Sequence, residues 1–266
     1  MNDALVGYER GEDGIAVVTL MDPPANAYSY EMMRQLDAAV LEARMDDGVH
    51  VLVLTGAGER FFCAGANIAM LASATPRFKY AFCLHANETL LRLEHTPKLV
   101  MAALNGHCVG GGLEVALAAD LRIARRGAGK IGLPEVNLGV LPGTGGTQRL
   151  TRLVGKAKAI ELMATGRLFE FDDAQALGLV NEVVDAPDAA AFQGRVRERA
   201  RDFVPPGRAS RAVGLLKRAV QSGAEMALAD GLALERELQQ QLFESEDARE
   251  GLAAHLAKRR PSFKGR

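Results

Sequence analysis

Three consecutive glycines, Gly110 to Gly112, join a predicted strand to a predicted helix. The apolar run Leu99 to Leu104 is typical of a buried strand, and Leu113 to Ala119 is typical of the opening of an apolar helix. Because glycine has no Cβ, the chain can turn tightly here and approach a ligand closely. The first amides of a helix lack intrahelical partners and lie at the positive end of its dipole. The turn therefore predicts a site for a negatively charged oxygen, with tight packing or an ordinary turn as the alternative.

A second loop, Phe61 to Ile68, has the same character. It follows Val49 to Leu54, which is predicted to be a buried strand, and Thr55 to Gly58, which is predicted to be a turn. The small residues at its centre would let a ligand lie against bare backbone, and the amide of Ala66 is the natural donor. Two backbone donors from separate strand-to-helix loops could hold one carbonyl oxygen.

Two glutamates accompany the donor loops. Glu114 follows the glycines directly, and Glu135 ends the short sequence Leu133-Pro134-Glu135. A carboxylate in the first turn of a helix is favoured by the dipole even without a catalytic role. Together with the donor loops, however, two separated carboxylates indicate acid/base chemistry on a carbonyl compound.

The order and spacing of several motifs resemble the crotonase, or enoyl-CoA hydratase/isomerase, superfamily over nearly the whole chain. The matching stretches are Pro24–Ala27, Phe62–Ile68, Asn105–Glu114, Leu133–Glu135, Leu138–Leu150, Ala174–Val180 and Lys258–Phe263. The resemblance implies an α/β fold, in which repeated β-β-α turns form a spiral followed by a C-terminal helical region.

The resemblance assigns the catalytic roles residue by residue. It makes Ala66 and Gly111 the two oxyanion-hole amides, and Glu114 and Glu135 the catalytic pair of hydratases. Glu114 would act chiefly as the base toward the attacking water, and Glu135 would protonate C2. The family also contains isomerases with one carboxylate at the second position, and hydrolases, dehalogenases, decarboxylases and ring-forming enzymes with other residues at both. The presence of both glutamates favours hydration.

Further residues are implied to bind the CoA thioester. They are Ala25, Ala27, Ala64, Asn67, Ile68, Gly143 and Lys258. Asn67 replaces the aspartate that is common in hydratases, so we expect the local hydrogen bonding to differ. Gly143 could equally be a turn residue, and the basic tail at Lys258 could simply be a solvated end. His107 is expected to pack rather than to catalyse.

The predicted elements divide the chain into a spiral core at residues 1–204 and a helical oligomerisation region at 205–266. The helical segment Met70 to Leu93 has a predicted break between Ser73 and Arg77, where Thr75-Pro76 interrupts it. In the family this region lines the acyl pocket. The resemblance also implies trimers, which commonly pair into hexamers.

Composition excludes several other classes of protein. A chain of 266 residues with 48% hydrophobic content can bury a full core, and its net charge of -1 gives no electrostatic reason to expect a nucleic-acid or membrane partner. The three cysteines lack paired metal spacing and favour free thiols in a reducing compartment. We expect a cytoplasmic protein, because no membrane-spanning run and no secretory signal is evident.

These observations predict an enoyl-CoA hydratase that converts a 2-enoyl-CoA to a 3-hydroxyacyl-CoA. CoA would be part of the substrate, with no metal or redox cofactor. The alternatives within the family are an isomerase and a hydratase specific for a branched, cyclic or dicarboxylic acyl group, such as methylglutaconyl-CoA. The alternatives of another class are an RNA-binding relative, which the charge balance disfavours, and a catalytically silent one, which the two glutamates disfavour.

Overall fold

The computed structural model describes residues 4–266, in which ten strands form two sheets. The strands are β1 Val6–Arg10, β2 Ile15–Leu20, β3 Val51–Gly56, β4 Phe61–Cys63, β5 Leu99–Leu104, β6 His107–Val109, β7 Leu121–Arg125, β8 Lys130–Gly132, β9 Phe169–Glu170 and β10 Glu182–Val184. The larger sheet has the order β1-β2-β3-β5-β7-β10, and the smaller one has the order β4-β6-β8-β9.

Helices connect and cover the sheets. They are α1 Tyr30–Met45, α2 Ile68–Ser73, α3 Pro76–Glu94, α4 Gly111–Leu117, α5 Gly146–Val154, α6 Lys156–Thr165, α7 Phe171–Ala176, α8 Ala189–Arg201, α9 Ser210–Gly223, α10 Leu228–Phe243 and α11 Glu246–Leu256. A 3₁₀ turn spans Glu135–Leu138. Among residues 4–266, no helix combines the length and apolar character needed to cross a membrane.

Successive turns of the chain form a spiral. In each turn, a strand of the larger sheet is followed along the chain by a strand of the smaller sheet. The successive pairs are β3 and β4, β5 and β6, and β7 and β8. The β3–β5, β5–β7, β4–β6 and β6–β8 pairs are all parallel, so each turn stacks on the one before it in the same orientation. The predicted fold of repeated β-β-α turns with C-terminal helices is confirmed.

The larger sheet is covered on both faces. All six residues of β3 and of β5 are buried, which explains why both strands are continuous apolar runs rather than alternating ones. Side chains on one face join the main core with α1 and α3, whereas those on the other face pack with Phe192 and Val196 of α8. Strand β3 runs two residues beyond the predicted Leu54, because Thr55 and Gly56 still pair with β2.

Local caps determine where the helices near the cavity begin. The Thr75 hydroxyl accepts from the amide of Phe78, and Pro76 occupies the first helical position, where no amide is required. The predicted break between Ser73 and Arg77 is therefore the boundary between α2 and α3. The start of α1 is capped in the same way by Ser29.

A buried amide fixes the corner between the two sheets. The side-chain nitrogen of Asn105 donates to the carbonyls of Gly56 at 3.0 Å and Gly58 at 2.8 Å, and its oxygen accepts from the amide of Gly56 at 3.1 Å. Asn26 donates to the carbonyls of Ala57 and Phe61 at the same corner. These bonds satisfy backbone groups that the turn would otherwise leave unpaired, and they fix the loop that leads into β4.

The C-terminal helices contact the spiral through a buried ion pair. Nζ of Lys217 in α9 lies 2.8 Å from Oδ2 of Asp120, and both side chains are largely buried. Gly214 approaches the Pro97 carbonyl so closely that a Cβ there would lie 2.2 Å from its oxygen. A division of the chain at residues 204 and 205 stays a prediction.

Candidate active site

A cavity of about 340 Å³ lies where the loops after β4, β6 and β8 meet. Its wall consists of Tyr28, Ala64, Gly65, Ala66, Ile68, Leu71, Lys79, Val109, Gly110, Gly111, Glu114, Pro134, Glu135, Asn137, Leu138, Val140, Leu141, Gly143 and Thr144. Both predicted donor loops and both predicted glutamates are in this wall. Residues far apart in sequence are thus brought together by consecutive turns of the spiral.

The amide of Ala66 is directed by a single parallel bridge to Tyr28. The Tyr28 amide donates to the Gly65 carbonyl at 2.9 Å, and the Asn67 amide donates to the Tyr28 carbonyl at 2.9 Å. In a parallel bridge the flanking residues make these bonds, so the N–H of Ala66 points away from Tyr28. The Asn67 side chain accepts from the amide of Met70 at 3.0 Å and caps α2. Asn67 therefore shapes the loop rather than facing the cavity.

The amide of Gly111 begins α4, where no intrahelical acceptor is available for it. Gly65 packs against the Gly111 amide so closely that a Cβ on Gly65 would lie 3.0 Å from the Gly111 nitrogen. A Cβ on Gly111 would lie 2.1 Å from the Tyr28 hydroxyl oxygen, so this position requires glycine. The two donor loops are in direct contact, and both amides belong to the same cavity wall.

Glu114 is held rigidly by hydrogen bonds. Its side chain is only 2% exposed. Oε1 accepts from the amides of Thr144 at 2.8 Å and Gly146 at 2.7 Å, and Oε2 accepts from the Thr144 hydroxyl. Three donors to one carboxylate fix its rotamer and leave one acceptor site, on Oε2, without a protein partner.

The hydrogen bonds continue from Glu114 to a buried phenol. The hydroxyl oxygens of Thr144 and Tyr28 lie 3.1 Å apart. Since the Thr144 hydroxyl donates to Glu114, the Tyr28 hydroxyl is the donor to Thr144. Sequence reasoning missed both residues. Thr144 was within a matching motif, but its hydroxyl had no assigned role, and nothing local to Tyr28 signals a partner 116 residues away.

Glu135 has the opposite environment. It begins the 3₁₀ turn, is partly buried, and its Oε2 has no hydrogen-bond partner among the described residues. Burial raises the pKa of Glu135 to about 7, and the neighbouring Glu114 acts in the same direction, whereas the charge of Lys79 opposes the rise. A carboxyl with such a pKa can hold a proton near neutral pH and release it, as general acid catalysis requires.

The site thus has three chemical capacities. Ala66 and Gly111 can stabilise negative charge on a carbonyl oxygen, Glu114 can accept a proton in a fixed position, and Glu135 can donate one. Within the described part of the chain, no group of three or more His, Cys, Asp or Glu side chains could hold a metal ion.

Comparison with known proteins places the chain in a family. The model of the enoyl-CoA hydratase/isomerase family matches residues 10–266. The chain belongs to this family. The crystal structure of an enoyl-CoA hydratase from Geobacillus kaustophilus is similar over 100% of this chain and 98% of the other, with a TM-score of 0.94 and 45% identity.

Two curated relatives extend the similarity. A short-chain-enoyl-CoA hydratase of Clostridium acetobutylicum is 38% identical over 257 residues, which are 96% of each chain. A crotonyl-CoA hydratase of Syntrophomonas wolfei is 34% identical over 257 residues, which are 95% of each chain. The similarity in each case spans both the spiral and the C-terminal helices.

The other predicted binding residues of this enoyl-CoA hydratase/isomerase family member fall into two groups. Ala64, Ile68 and Gly143 are in the wall of the cavity, and their contact with the CoA thioester stays a prediction. The remaining three lie outside its wall, and they are Ala25, Ala27 and Lys258. The Ala25 carbonyl accepts from the amide of Ala64 at 3.0 Å, so it supports the donor loop from behind.

Lys258 follows the last helix and is exposed. Within this single chain it does not contact the cavity, and its role toward CoA stays a prediction. His107 is also outside the cavity wall. Its Nδ1 accepts from the amide of Lys130 at 3.0 Å, and its ring lies 5.2 Å from that of Phe61. This packing role agrees with the expectation for His107.

The series of hydrogen bonds predicts that Tyr28→Phe lowers the turnover of crotonyl-CoA by about 3- to 10-fold, the effect of one neutral hydrogen bond, and that Thr144→Val, which removes a donor to a carboxylate, lowers it by about 10- to 10²-fold. If Tyr28 acts through Thr144, the double variant loses no more than Thr144→Val alone, because the two residues are coupled. Steady-state kinetics of all three variants measure this. Thr144→Ser keeps the hydroxyl and should retain activity. If the losses of the two single variants were fully additive in the double variant, Tyr28 would not act through Thr144.

Proposed function

We propose that this protein is an enoyl-CoA hydratase, which adds water across the C2=C3 bond of a 2-enoyl-CoA to give a 3-hydroxyacyl-CoA. The observation that carries the proposal is the pair of glutamates in one cavity wall: Glu114 accepts three hydrogen bonds, whereas Glu135 has a buried oxygen without one. One group is thus oriented as an acceptor, and the other is suited to hold a proton. The names of the relatives support the same activity.

The thioester oxygen would accept from the amides of Ala66 and Gly111. When water attacks C3, negative charge moves onto this oxygen, and the enolate that forms binds the two N–H groups more tightly than the ground state does. Losing one such donor typically raises the barrier by about 3 to 4 kcal/mol. The amide donors are part of the backbone, so they need no reorganisation during the reaction.

Glu114 and Glu135 would handle the protons. The water molecule gives a proton to Glu114 as its oxygen bonds to C3, and Glu135 gives its proton to C2 as the enolate collapses. The product has gained one water, and the site still contains one proton, now on the other glutamate. This chemistry needs neither a metal nor a redox cofactor, and CoA enters as part of the substrate.

An isomerase that moves the double bond from C3 to C2 is the second candidate. It would transfer one proton between C4 and C2 and would need only one carboxylate. The orientation of Glu114 by Thr144 and Gly146 favours the hydratase, because that orientation serves a second proton acceptor. A variant in which only Glu135 proves necessary would favour the isomerase.

We also propose that the protein assembles as a homotrimer or homohexamer. Large apolar side chains are exposed on the C-terminal helices, among them Leu216 (65%), Val220 (63%) and Leu252 (53%). A further cavity of about 1140 Å³ lies beside α9 and includes Asp120, whose buried Oδ1 has no partner among the described residues. A second copy of the chain would cover the apolar surface.

We predict that Glu114→Gln and Glu135→Gln each lower the hydration of crotonyl-CoA by at least about 10²-fold, as expected for positioned acid/base groups. The loss of the absorbance of the conjugated thioester measures the rate. Glu88→Gln makes the same change at an exposed position of α3 and should have no effect. Near-normal hydration by either active-site variant would remove that residue from the mechanism.

The pKa of Glu135, raised to about 7 mainly by burial, predicts the pH dependence. Hydration requires the protonated form of Glu135, so kcat/KM should fall as the pH rises above about 7 and approach a tenfold loss per pH unit. The dehydration of the 3-hydroxyacyl-CoA should fall in parallel, because the overall reaction takes up no proton and its equilibrium is therefore independent of pH. A flat profile between about pH 6 and 9 would contradict the assignment of Glu135 as the acid.

Light scattering should give three or six times the chain mass of 28.4 kDa. Val220→Glu places a charge on the exposed apolar surface of α9 and should lower this mass, because burying an unpaired charge is costly. Gln175→Glu adds the same charge at an exposed position of α7 as a control. A wild-type protein that is monomeric and active at micromolar concentration would contradict the proposed assembly without affecting the catalytic proposal.

A further inference from the structure

Lys79 is directed toward the cavity rather than into solvent. It lies in the first turns of α3, and its ammonium nitrogen is 5.4 Å from the centroid of the Phe82 ring. Phe82 is buried, and its ring centroid is 5.8 Å from that of Tyr28, which is part of the cavity wall. Its neighbour Arg77 is exposed and lies outside that wall.

Among residues 4–266 the Lys79 ammonium makes no ion pair and no hydrogen bond, and its polar contact is with the ring of Phe82. Five other side chains of the cavity wall are large and apolar; they are Ile68, Leu71, Leu138, Val140 and Leu141. They offer the Lys79 ammonium no hydrogen-bond acceptor, and the ring of Phe82 supplies only part of the stabilisation that an anion would supply. The Lys79 ammonium is therefore available to an anion that enters the cavity.

Lys79 is on the side of the cavity where the acyl group would react. Its charge acts on Glu135 and lowers the pKa of that carboxyl, against the larger effect of burial. Under the proposed function, Glu135 lies beside C2 of the bound acyl group. A short acyl chain that continues beyond C3 would therefore place its end among Lys79 and the apolar side chains.

We propose that Lys79 binds a carboxylate at the distal end of the acyl group, so that the preferred substrate is a short 2-enoyl-CoA with a terminal carboxylate. This inference rests on the proposed hydratase function. The chemical step is unchanged: the water oxygen bonds to C3, a proton is added at C2, and the distal carboxylate stays intact.

Two substrates with the same number of acyl carbons test the inference. Glutaconyl-CoA ends in a carboxylate, and trans-2-pentenoyl-CoA ends in a methyl group. We expect the wild-type enzyme to favour glutaconyl-CoA by about tenfold or more in kcat/KM, and Lys79→Met to lower the ratio of the two kcat/KM values by roughly 10²-fold, as for the loss of one partner of a charge pair. The loss should fall mainly on the KM for glutaconyl-CoA.

The ratio separates this role from the other roles of a cation in the site. If Lys79 bound a phosphate of CoA, or only adjusted Glu135, Lys79→Met would affect both substrates alike, and the unchanged ratio would overturn the inference. Lys79→Arg should keep most of the preference for glutaconyl-CoA. Lys79→Glu should have a lower ratio of the two kcat/KM values than Lys79→Met. Arg77→Met removes a neighbouring exposed charge and should leave the ratio unchanged.

The two levels of the proposal can fail separately. A wild-type enzyme that hydrates both substrates without a preference that depends on Lys79 would overturn the assignment of Lys79 and leave the hydratase standing. A wild-type enzyme that hydrates neither substrate would overturn the proposed function itself.

Discussion

The active site depends on the contact between two loops that belong to successive turns of the spiral. Parallel pairing of β4 with β6 places the loop of Gly65 against the start of α4, where only glycine leaves enough space. Because the same pairing sets the direction of both chains, the free amides of Ala66 and Gly111 meet in one cavity. The proposed oxyanion hole is thus a property of the backbone topology, which explains why its side chains can be small and chemically inert.

The two glutamates differ because their surroundings differ. Glu114 is deeply buried, but Thr144 and Gly146 compensate its burial with hydrogen bonds. Glu135 loses solvation without equal compensation, and its pKa is raised to about 7. Two identical side chains thereby acquire complementary capacities, one to accept a proton in a fixed direction and the other to hold one near neutral pH. This division is what the addition of water across a double bond requires.

The strands, the helix break and the glycine-rich loops of the cavity wall could be predicted from sequence because their signals are local. Apolar runs mark β3 and β5, and Thr75-Pro76 marks the start of α3 within a few residues. The contacts of Tyr28 with Thr144 and of Asn105 with Gly56 could not be predicted, since they join residues that only the tertiary fold brings together. The sequence predicts that β3 ends at Leu54, which is wrong for the same reason. Pairing with the neighbouring strand β2 extends β3 through Thr55 and Gly56.

The chemistry and the substrate preference arise from different parts of the chain. The proposed oxyanion donors and Glu114 belong to loops and a helix that directly follow strands of the spiral. Lys79 belongs to α3, which begins at its own cap and contributes only Lys79 to the described cavity wall. A change in the first turns of α3 can therefore alter the charge near the acyl end without disturbing the hydrogen bonds at the reacting carbons. This separation allows one catalytic framework to accept acyl groups of different chemistry.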